Sequence, residues 1–143
     1  MGNTSTADIL IVENKAEAAA QIRTAIKEGR PEFRVHWVKD GRNAMHFIFG
    51  DENEASAIQQ PKMIILNLSD PETNNMEVIK RIKTNPSTMH VQVISLLSSP
   101  GEIEIFSEAI RAGSNICLIK NADSVQFGLQ IKQEVGFCWR VFE

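Results

Sequence analysis

Polar side chains stand directly after short apolar runs of this sequence, and these are the groups that could do chemistry. They are Glu13 and Asn14, the segment from Asn67 to Asp70, Ser98 and Ser99, and Lys120. Carboxylates, amides, hydroxyls and an ammonium can exchange hydrogen bonds, pair charges or hold a hard cation such as Mg²⁺. The histidines His36, His46 and His90 fall in separate runs without the spacing of metal ligands, so we assign them to solvent or packing roles.

The apolar runs predict an α/β fold in which strands alternate with helices. Continuous aliphatic runs are typical of strands buried on both faces of a parallel sheet. Strands are predicted at 9–12, 33–38, 63–66, 91–97 and 116–119, and helices over about 15–28, 44–50, 76–85, 102–112 and 123–135. In the second strand Phe33, Val35 and Trp37 should form the better-buried face, and the polar stretch 51–60 should be a loop. This alternation requires parallel pairing with right-handed crossovers and helices on both faces.

Length and composition exclude several classes of protein. The chain has 143 residues and a net charge of -3, so we expect one domain over residues 1–143, with a core at about 7–136 and an aromatic tail at 137–143. The negative charge gives no general attraction for nucleic acid or a membrane, and no apolar run approaches the ~20 residues of a membrane helix. Two cysteines are too few for a disulfide framework, which favours a cytoplasmic protein. We expect Cys117 to pack as a small hydrophobe and Cys138 to be a surface thiol.

Short segments near the ends of the predicted strands form a combination typical of one family. They are Val12-Glu13-Asn14, Ile65-Leu66-Asn67-Leu68, the Asp70-Pro71 turn and Leu118-Ile119-Lys120. The combination resembles the receiver domain of two-component response regulators over about residues 7–136. The acidic segment before strand three, Lys120-Asn121-Ala122 and the tail Phe137-Cys138-Trp139 look most like the single-domain regulators that serve bacterial phytochromes. The resemblance implies a phosphorelay signalling domain, not an enzyme, with a flavodoxin-like (βα)5 doubly wound parallel sheet in strand order 2-1-3-4-5.

The resemblance also implies that the usual phosphorylation chemistry is absent. The family's phosphorylated aspartate falls on Asn67, and an amide cannot attack a phosphoryl donor to form an acyl phosphate. Two acids after strand one hold Mg²⁺ in the family; here Glu13 is kept and the second position is Asn14. We therefore expect no cofactor, and no metal site beyond weak Mg²⁺ binding at Glu13.

Three further positions take their roles from the same resemblance. The switch hydroxyl after strand four falls on Leu97, with Ser98 as its neighbour, and the switch aromatic of strand five falls on Cys117. The family's lysine is retained as Lys120. Departures at several of these positions together favour a naturally divergent site, a pseudo-receiver, over a single substitution in a working regulator.

A fixed polar cluster is the interpretation that we favour for these residues. Because buried charges need partners, we expect Glu13 to pair with Lys120, with Asn14 and Asn67 hydrogen bonded beside them. Asp70 should be displaced from this pocket, because it lies three residues beyond Asn67.

Two other functions stay open on the sequence alone. One is a conventional phosphorelay receiver with relaxed chemistry. The other is a flavodoxin-like electron carrier, which would need a loop rich in glycine and hydroxyls after strand one to hold a flavin phosphate. Residues 12–17 supply two acids and no glycine there, and so would repel a phosphate.

The C-terminal segment is the candidate interaction surface. In the family, partners and dimer mates dock on the face made by helix four, strand five and helix five. Apolar residues recur near helical spacing at the end of this chain: Phe127, Ile131, Val135, Trp139 and Phe142. We interpret them as an interface for a protein partner such as a sensor histidine kinase or a phytochrome, or for a homodimer. The alternative is that these side chains complete the core.

Overall fold

The computed structural model describes residues 7–50 and 57–142, so residues 51–56 of the predicted loop lie outside the described part. The strands are β1 Ile9–Val12, β2 Val35–Val38, β3 Met63–Asn67, β4 Gln92–Leu97 and β5 Ile116–Ile119. The helices are α1 Ala16–Gly29, α2 Gly41–Phe49, α3 Asn75–Thr84, α4 Ile103–Ala112 and α5 Ser124–Trp139. Short 3₁₀ turns lie between β3 and α3 at Pro71–Thr73 and after α5 at Arg140–Phe142. The predicted elements are therefore confirmed, with bounds that differ by a few residues.

The strands form one parallel sheet in the order β2-β1-β3-β4-β5, which confirms the predicted α/β fold. Val12 at the end of β1 lies beside Leu66 of β3, and Asn67 lies beside Leu96 of β4. The carboxyl ends of the central strands therefore finish at one edge of the sheet. This edge is where an open doubly wound sheet binds ligands.

Two apolar layers cover the sheet because neighbouring strand residues point to opposite faces. Ile9 and Ile11 of β1 pack on the side covered by α1 and α5. Leu10 and Val12 pack on the side covered by α2, α3 and α4. All four side chains of β1 are fully buried, which explains why its sequence is an unbroken aliphatic run.

Local signals in the sequence set several helix ends. Asp123 accepts hydrogen bonds from the backbone N–H groups of Val125 (2.8 Å) and Gln126 (3.2 Å), which makes it the N-cap of α5. Gly113 ends α4 with a φ of 112°, a left-handed conformation that favours glycine. Gly41 begins α2 against the loop before α3, where an added Cβ would lie 2.6 Å from the carbonyl oxygen of Asn74. The lack of a side chain at Gly41 therefore lets the loop before α3 pack against the start of α2.

The interface prediction for α5 is wrong for the residues on its inner face. Phe127, Ile131 and Val135 are 1%, 0% and 3% exposed and pack into the layer beneath α1 and α5. Cys138 is also buried, so the prediction of a surface thiol is wrong. The reason is that α5 is apolar on more than one face, and the stripe at Phe127 faces the sheet.

The aromatic tail is folded onto the core. The Trp139 ring is half-buried, and its centroid lies 4.1 Å from that of the buried Phe33. Phe142 is half-buried too, with its ring centroid 5.6 Å from that of Trp139. These contacts favour the alternative in which the tail completes the core.

Strand β2 departs from the predicted alternation. Phe33 is buried, but Trp37 is 36% exposed, so the prediction that it belongs to the buried face is wrong. Because β2 lies at the edge of the sheet, one side of the strand has no neighbour to cover it. The Trp37 indole instead lies over the end of β1.

None of the helices in the described ranges is long and apolar enough to cross a membrane. The single domain over residues 1–143 and the cytoplasmic location stay predictions.

Candidate functional site

The site is built at the sheet edge from the ends of β1, β3 and β4 and the loops that follow them. Glu13 anchors it and is 3% exposed. The Glu13 N–H donates to the carbonyl oxygen of Val38 (3.1 Å), and the Trp37 indole N–H donates to the Glu13 carbonyl oxygen (2.6 Å). The backbone of Glu13 is therefore fixed by the neighbouring edge strand, which holds its side chain in place.

The Glu13 carboxylate meets Asn67, as the sequence predicts. Asn67 Nδ2 donates to Glu13 Oε1 at 3.1 Å and lies 3.4 Å from Oε2. Glu13 Oε2 also accepts from the backbone N–H of Lys15 at 3.1 Å. The buried charge is thus balanced by hydrogen bonds from an amide and from the backbone.

Both polar atoms of the Asn67 side chain are hydrogen bonded. While Nδ2 donates to Glu13, Oδ1 accepts from the backbone N–H of Ser69 at 2.8 Å. An aspartate here could still accept from Ser69, but it would place a second carboxylate against the buried one. The local hydrogen bonding therefore suits an amide at residue 67 better than the carboxylate that phosphorylation requires.

Asn14 and Asp70 form a second pair beside the first. Asn14 Nδ2 donates to Asp70 Oδ2 at 3.0 Å, while Asp70 Oδ1 accepts from the backbone N–H of Glu72 at 3.0 Å. The prediction that Asp70 is displaced from the pocket is therefore wrong. Asp70 caps the 3₁₀ turn that begins at Pro71, and its second carboxylate oxygen reaches Asn14, just after the end of β1.

Lys120 does not join the cluster, so the predicted ion pair with Glu13 is wrong. Lys120 Nζ lies 5.0 Å from the centroid of the Phe127 ring, a cation–π contact at the start of α5. Its backbone N–H donates to the carbonyl oxygen of Leu97 at 2.7 Å, which fixes the backbone after β5 beside β4. The Glu13 charge is met by Asn67 instead, whose amide is close enough to donate directly.

The carboxylate of Glu102, the residue just before α4, lies at the end of β4. Glu102 Oε1 accepts from the backbone N–H groups of Ser98 (3.0 Å) and Ser99 (3.1 Å) and from the Ser69 hydroxyl (3.1 Å). The Ser98 N–H also lies 2.7 Å from Ser69 Oγ. Glu102 therefore ties the loop after β3 to the loop after β4, and it fills a position in which several donors converge on one anion.

The switch positions lie on or next to β4 and β5. Leu97 is buried against the α2–α4 side of the sheet, and Ser98 is exposed beside it. Cys117 is half-buried, and burial raises the pKa of its thiol to about 11. Because the reactive form of cysteine is the thiolate, Cys117 acts here as a small apolar side chain, as the sequence predicts.

Sequence reasoning missed two residues of the site, Glu102 and Asn75, and it assigned no contact to Ser69. Asn75 Nδ2 donates to the carbonyl oxygen of Asn67 at 2.7 Å and so fixes the end of β3. Glu102 lies four residues after Ser98 at the start of the helix predicted over 102–112, which is a signal that could have identified it as an acceptor for loop N–H groups. No comparable signal exists for Ser69 or Asn75, since their contacts depend on the path of the loop.

A strong Mg²⁺ site does not fit these residues. Within the described ranges, no group of three or more histidine, cysteine or acidic side chains is placed to hold a metal ion. The buried Glu13 carboxylate has an N–H donor directed at each of its oxygens, and such donors repel a cation. Glu13 and Asp70 are the anionic groups that a weakly bound cation would contact.

The sequence matches the response regulator receiver domain over residues 9–132. Because this match spans most of the 143 residues, the chain belongs to the response regulator receiver domain family. The predicted family is thereby confirmed, and membership is evidence against the electron-carrier alternative.

The individual relatives are response regulators, and one of them is a phytochrome response regulator. Response regulator Rcp1 of Synechocystis sp. is 26% identical over 99 residues, which are 69% of this chain and 67% of that protein. The structure of the phosphorylated cyanobacterial phytochrome response regulator RcpA has a TM-score of 0.78 and 26% identity, covering 92% of this chain and 93% of that one. A receiver domain from Rhodospirillum rubrum has the same fold, with a TM-score of 0.78, 22% identity and 94% of each chain covered. The chain is therefore similar to phytochrome response regulators.

Proposed function

We propose that this receiver domain is not an enzyme and signals by binding other proteins, without phosphorylation at residue 67. The observation that carries the proposal is the hydrogen bond of the Asn67 amide to the buried Glu13 carboxylate. The amide cannot form an acyl phosphate, and it is held in place by bonds at both of its ends.

Glu102 adds a second, independent obstacle to phosphorylation. The donors at the end of β4, which include the Ser98 and Ser99 N–H groups, already bind the Glu102 carboxylate. An incoming anionic phosphoryl group would have to displace this side chain and then face its negative charge. The polar cluster is thus complete without a phosphoryl group, which supports a domain with one fixed state.

The first prediction is that the chain gains no phosphoryl group when it is incubated with acetyl phosphate and Mg²⁺. Intact-mass spectrometry measures this directly, with a phosphorylatable receiver domain treated in parallel as a positive control. The expected result is an unchanged mass, because no carboxylate stands at residue 67.

A Mg²⁺-dependent gain of one phosphoryl group would contradict this prediction and would support the conventional receiver with relaxed chemistry. Asp70 is the residue to inspect in that case, since its carboxylate lies at the same edge of the sheet. Asp70→Asn would then abolish the gain in mass.

The proposed binding surface is the face made by α4, β5 and α5. Its apolar members include exposed residues of α4 and β5. Ile103 and Ile110 are 67% and 45% exposed and lie seven residues apart, which places them on the same side of α4. Ile119 of β5 is 39% exposed. Exposed aliphatic side chains that line up in this way are typical of an interface.

The partners that we propose for this face are a sensor histidine kinase or a phytochrome and a second copy of the chain. The similarity to the phytochrome response regulator RcpA supports a phytochrome, and the exposed isoleucines of α4 support a homodimer.

The second prediction concerns self-association. The double variant Ile103→Ser, Ile110→Ser should raise the dissociation constant of a homodimer at least about tenfold, because truncating apolar anchors at an interface typically costs more than about 1 kcal/mol each. Sedimentation velocity over a range of concentrations measures this. The matched control is Val125→Ser, which removes an apolar side chain that is 68% exposed on the side of α5 next to α1. A dimer weakened equally by both changes, or by the control alone, contradicts this surface.

A further inference from the structure

A small cavity lies between α3 and α4, next to the candidate site. Its volume is about 190 Å³. Met76 and Ile105 give it apolar walls, while Asp70, Asn75, Glu77 and Glu108 supply polar groups to its lining. The cavity thus combines apolar surface with oxygen acceptors.

Asn75 is a polar side chain of this lining whose bonding is incomplete. It is only 3% exposed, and its Nδ2 donates to the carbonyl oxygen of Asn67 at 2.7 Å. Its Oδ1 is buried and has no hydrogen-bond partner within the described residues. A buried acceptor without a donor is unfavourable, so a ligand that brings an N–H group would remove that penalty.

The charges around the cavity select a cation. Asp70, Glu77 and Glu108 line it, and they are all acidic. Lys80 lies outside the lining and reaches Glu77 (3.4 Å) and Glu108 (3.3 Å). Hydrogen bonding to Glu108, followed by attraction to Glu77, raises the pKa of Lys80. These carboxylates therefore already stabilise one ammonium group, and a single lysine does not neutralise three acids.

We propose that this cavity binds a primary ammonium group carried on a short apolar stem. At roughly 30 Å³ for each water-sized group, the volume holds about six non-hydrogen atoms. That matches an n-alkylammonium ion or the side chain of a lysine from another protein. The ammonium would donate to Asn75 Oδ1 and lie among the carboxylates, while the stem packs between Met76 and Ile105.

This site does not rest on the proposed function, because none of its groups needs residue 67 to be phosphorylated or not. The cavity and the candidate site are linked through the hydrogen bond from Asn75 Nδ2 to the Asn67 carbonyl oxygen, and through Asp70, which lines the cavity and accepts from Asn14. A ligand in the cavity would therefore affect the backbone at the end of β3.

The test is an NMR titration of the full chain labelled with ¹⁵N and methyl ¹³C, followed at the Asn75 side-chain amide and the Ile105 methyl groups. The probes are n-pentylamine at neutral pH, 1-pentanol as a neutral molecule of the same size, and the peptide acetyl-Gly-Lys-Gly-amide. We expect n-pentylamine to shift both reporters in a saturable way and 1-pentanol to bind at least about tenfold more weakly. Glu108→Gln should weaken n-pentylamine binding about tenfold, because it removes one charged acceptor. Glu104→Gln, the same change on the exposed side of α4, should have no effect.

The peptide separates the two sources of the ammonium group. Binding of the peptide as tightly as n-pentylamine supports a lysine of a partner protein, and binding of n-pentylamine alone supports a free amine. Equal binding of 1-pentanol, an equal effect of both glutamate substitutions, or no saturable shift with any probe would overturn the proposal.

Discussion

Replacing Trp139 with alanine is expected to lower the free energy of unfolding by about 3 kcal/mol, the lower end of the range for truncating a large core aromatic. The lower end applies because the indole is half-buried. Its ring centroid is 4.1 Å from that of Phe33, and Lys62 Nζ lies 5.7 Å from the Trp139 centroid. Truncation would remove all of these contacts and expose the side of the buried Phe33.

Urea unfolding followed by far-ultraviolet circular dichroism is the suitable measurement, because the substitution removes one of the two tryptophans and changes the fluorescence. Phe137→Ala is the matched control, since Phe137 is an aromatic residue of the same helix that is 64% exposed. Its effect should stay within about 0.5 kcal/mol. We expect no change in self-association for Trp139→Ala, measured by sedimentation velocity under native conditions.

The opposite pattern would restore the interface hypothesis for the tail. If Trp139→Ala weakens self-association while the free energy of unfolding is unchanged, the indole contacts a partner and not the core. The two quantities are measured on the same variant, so a loss of folded protein cannot be mistaken for a loss of binding.

The α5 error shows what spacing alone cannot determine. Phe127, Ile131 and Val135 follow helical spacing, but so do Val125 and Leu129, which are 68% and 50% exposed. A helix that is apolar on two faces gives two stripes of equal quality, and only the position of the sheet decides which one is buried.

The fold itself was predictable because its signals are local and redundant. The aliphatic run Ile9–Val12, the N-cap Asp123 and the glycines Gly50 and Gly113 each report on a few neighbouring residues, and all agree with one topology. Bounds differ by a few residues, as at the start of α2, where the cap Asp40, and not the apolar pattern, sets the end of the helix.

The site was predictable only in part. Glu13 and Asn67 meet because each directly follows a residue of the register pair Val12 and Leu66, which the order of the strands determines. The direction of the Lys120 side chain depends on its rotamer. The position of the Asp70 carboxylate beside Asn14 depends on the path of the loop after β3. Neither is encoded by the spacing of residue types, which therefore provides no basis for choosing the Phe127 contact of Lys120 over an ion pair.

The last prediction restores carboxylates to the site in steps. Asn67→Asp should lower the free energy of unfolding by about 2 kcal/mol without Mg²⁺, because it replaces a donor 3.1 Å from Glu13 with a like charge. Mg²⁺ should recover much of that loss by binding between the two carboxylates. The control is Asn43→Asp, which adds the same charge at an exposed position of α2 and should show no recovery with Mg²⁺.

Adding Asn14→Asp should tighten Mg²⁺ binding at least about tenfold over Asn67→Asp alone, since hard divalent cations gain affinity with each added carboxylate. The site offers its own reporter: the Trp37 indole donates to the Glu13 carbonyl oxygen at 2.6 Å, so its fluorescence should respond to metal at Glu13. Trp37→Phe in the same background should abolish the response while leaving the calorimetric affinity in place. Equal affinity in the single and double variants would contradict the electrostatic argument.

Metal binding alone should still leave phosphorylation weak, because Glu102 continues to occupy the Ser98 and Ser99 N–H groups. We therefore expect the double variant to gain little mass with acetyl phosphate and Mg²⁺, and the triple variant with Glu102→Gln to gain much more. A neutral amide at residue 102 binds those donors less strongly and does not repel an incoming phosphoryl group. Full phosphorylation of the double variant without the change at Glu102 would show that this carboxylate is no obstacle. In that case the chain lacks only the acids at residues 14 and 67 to be a working phosphoacceptor.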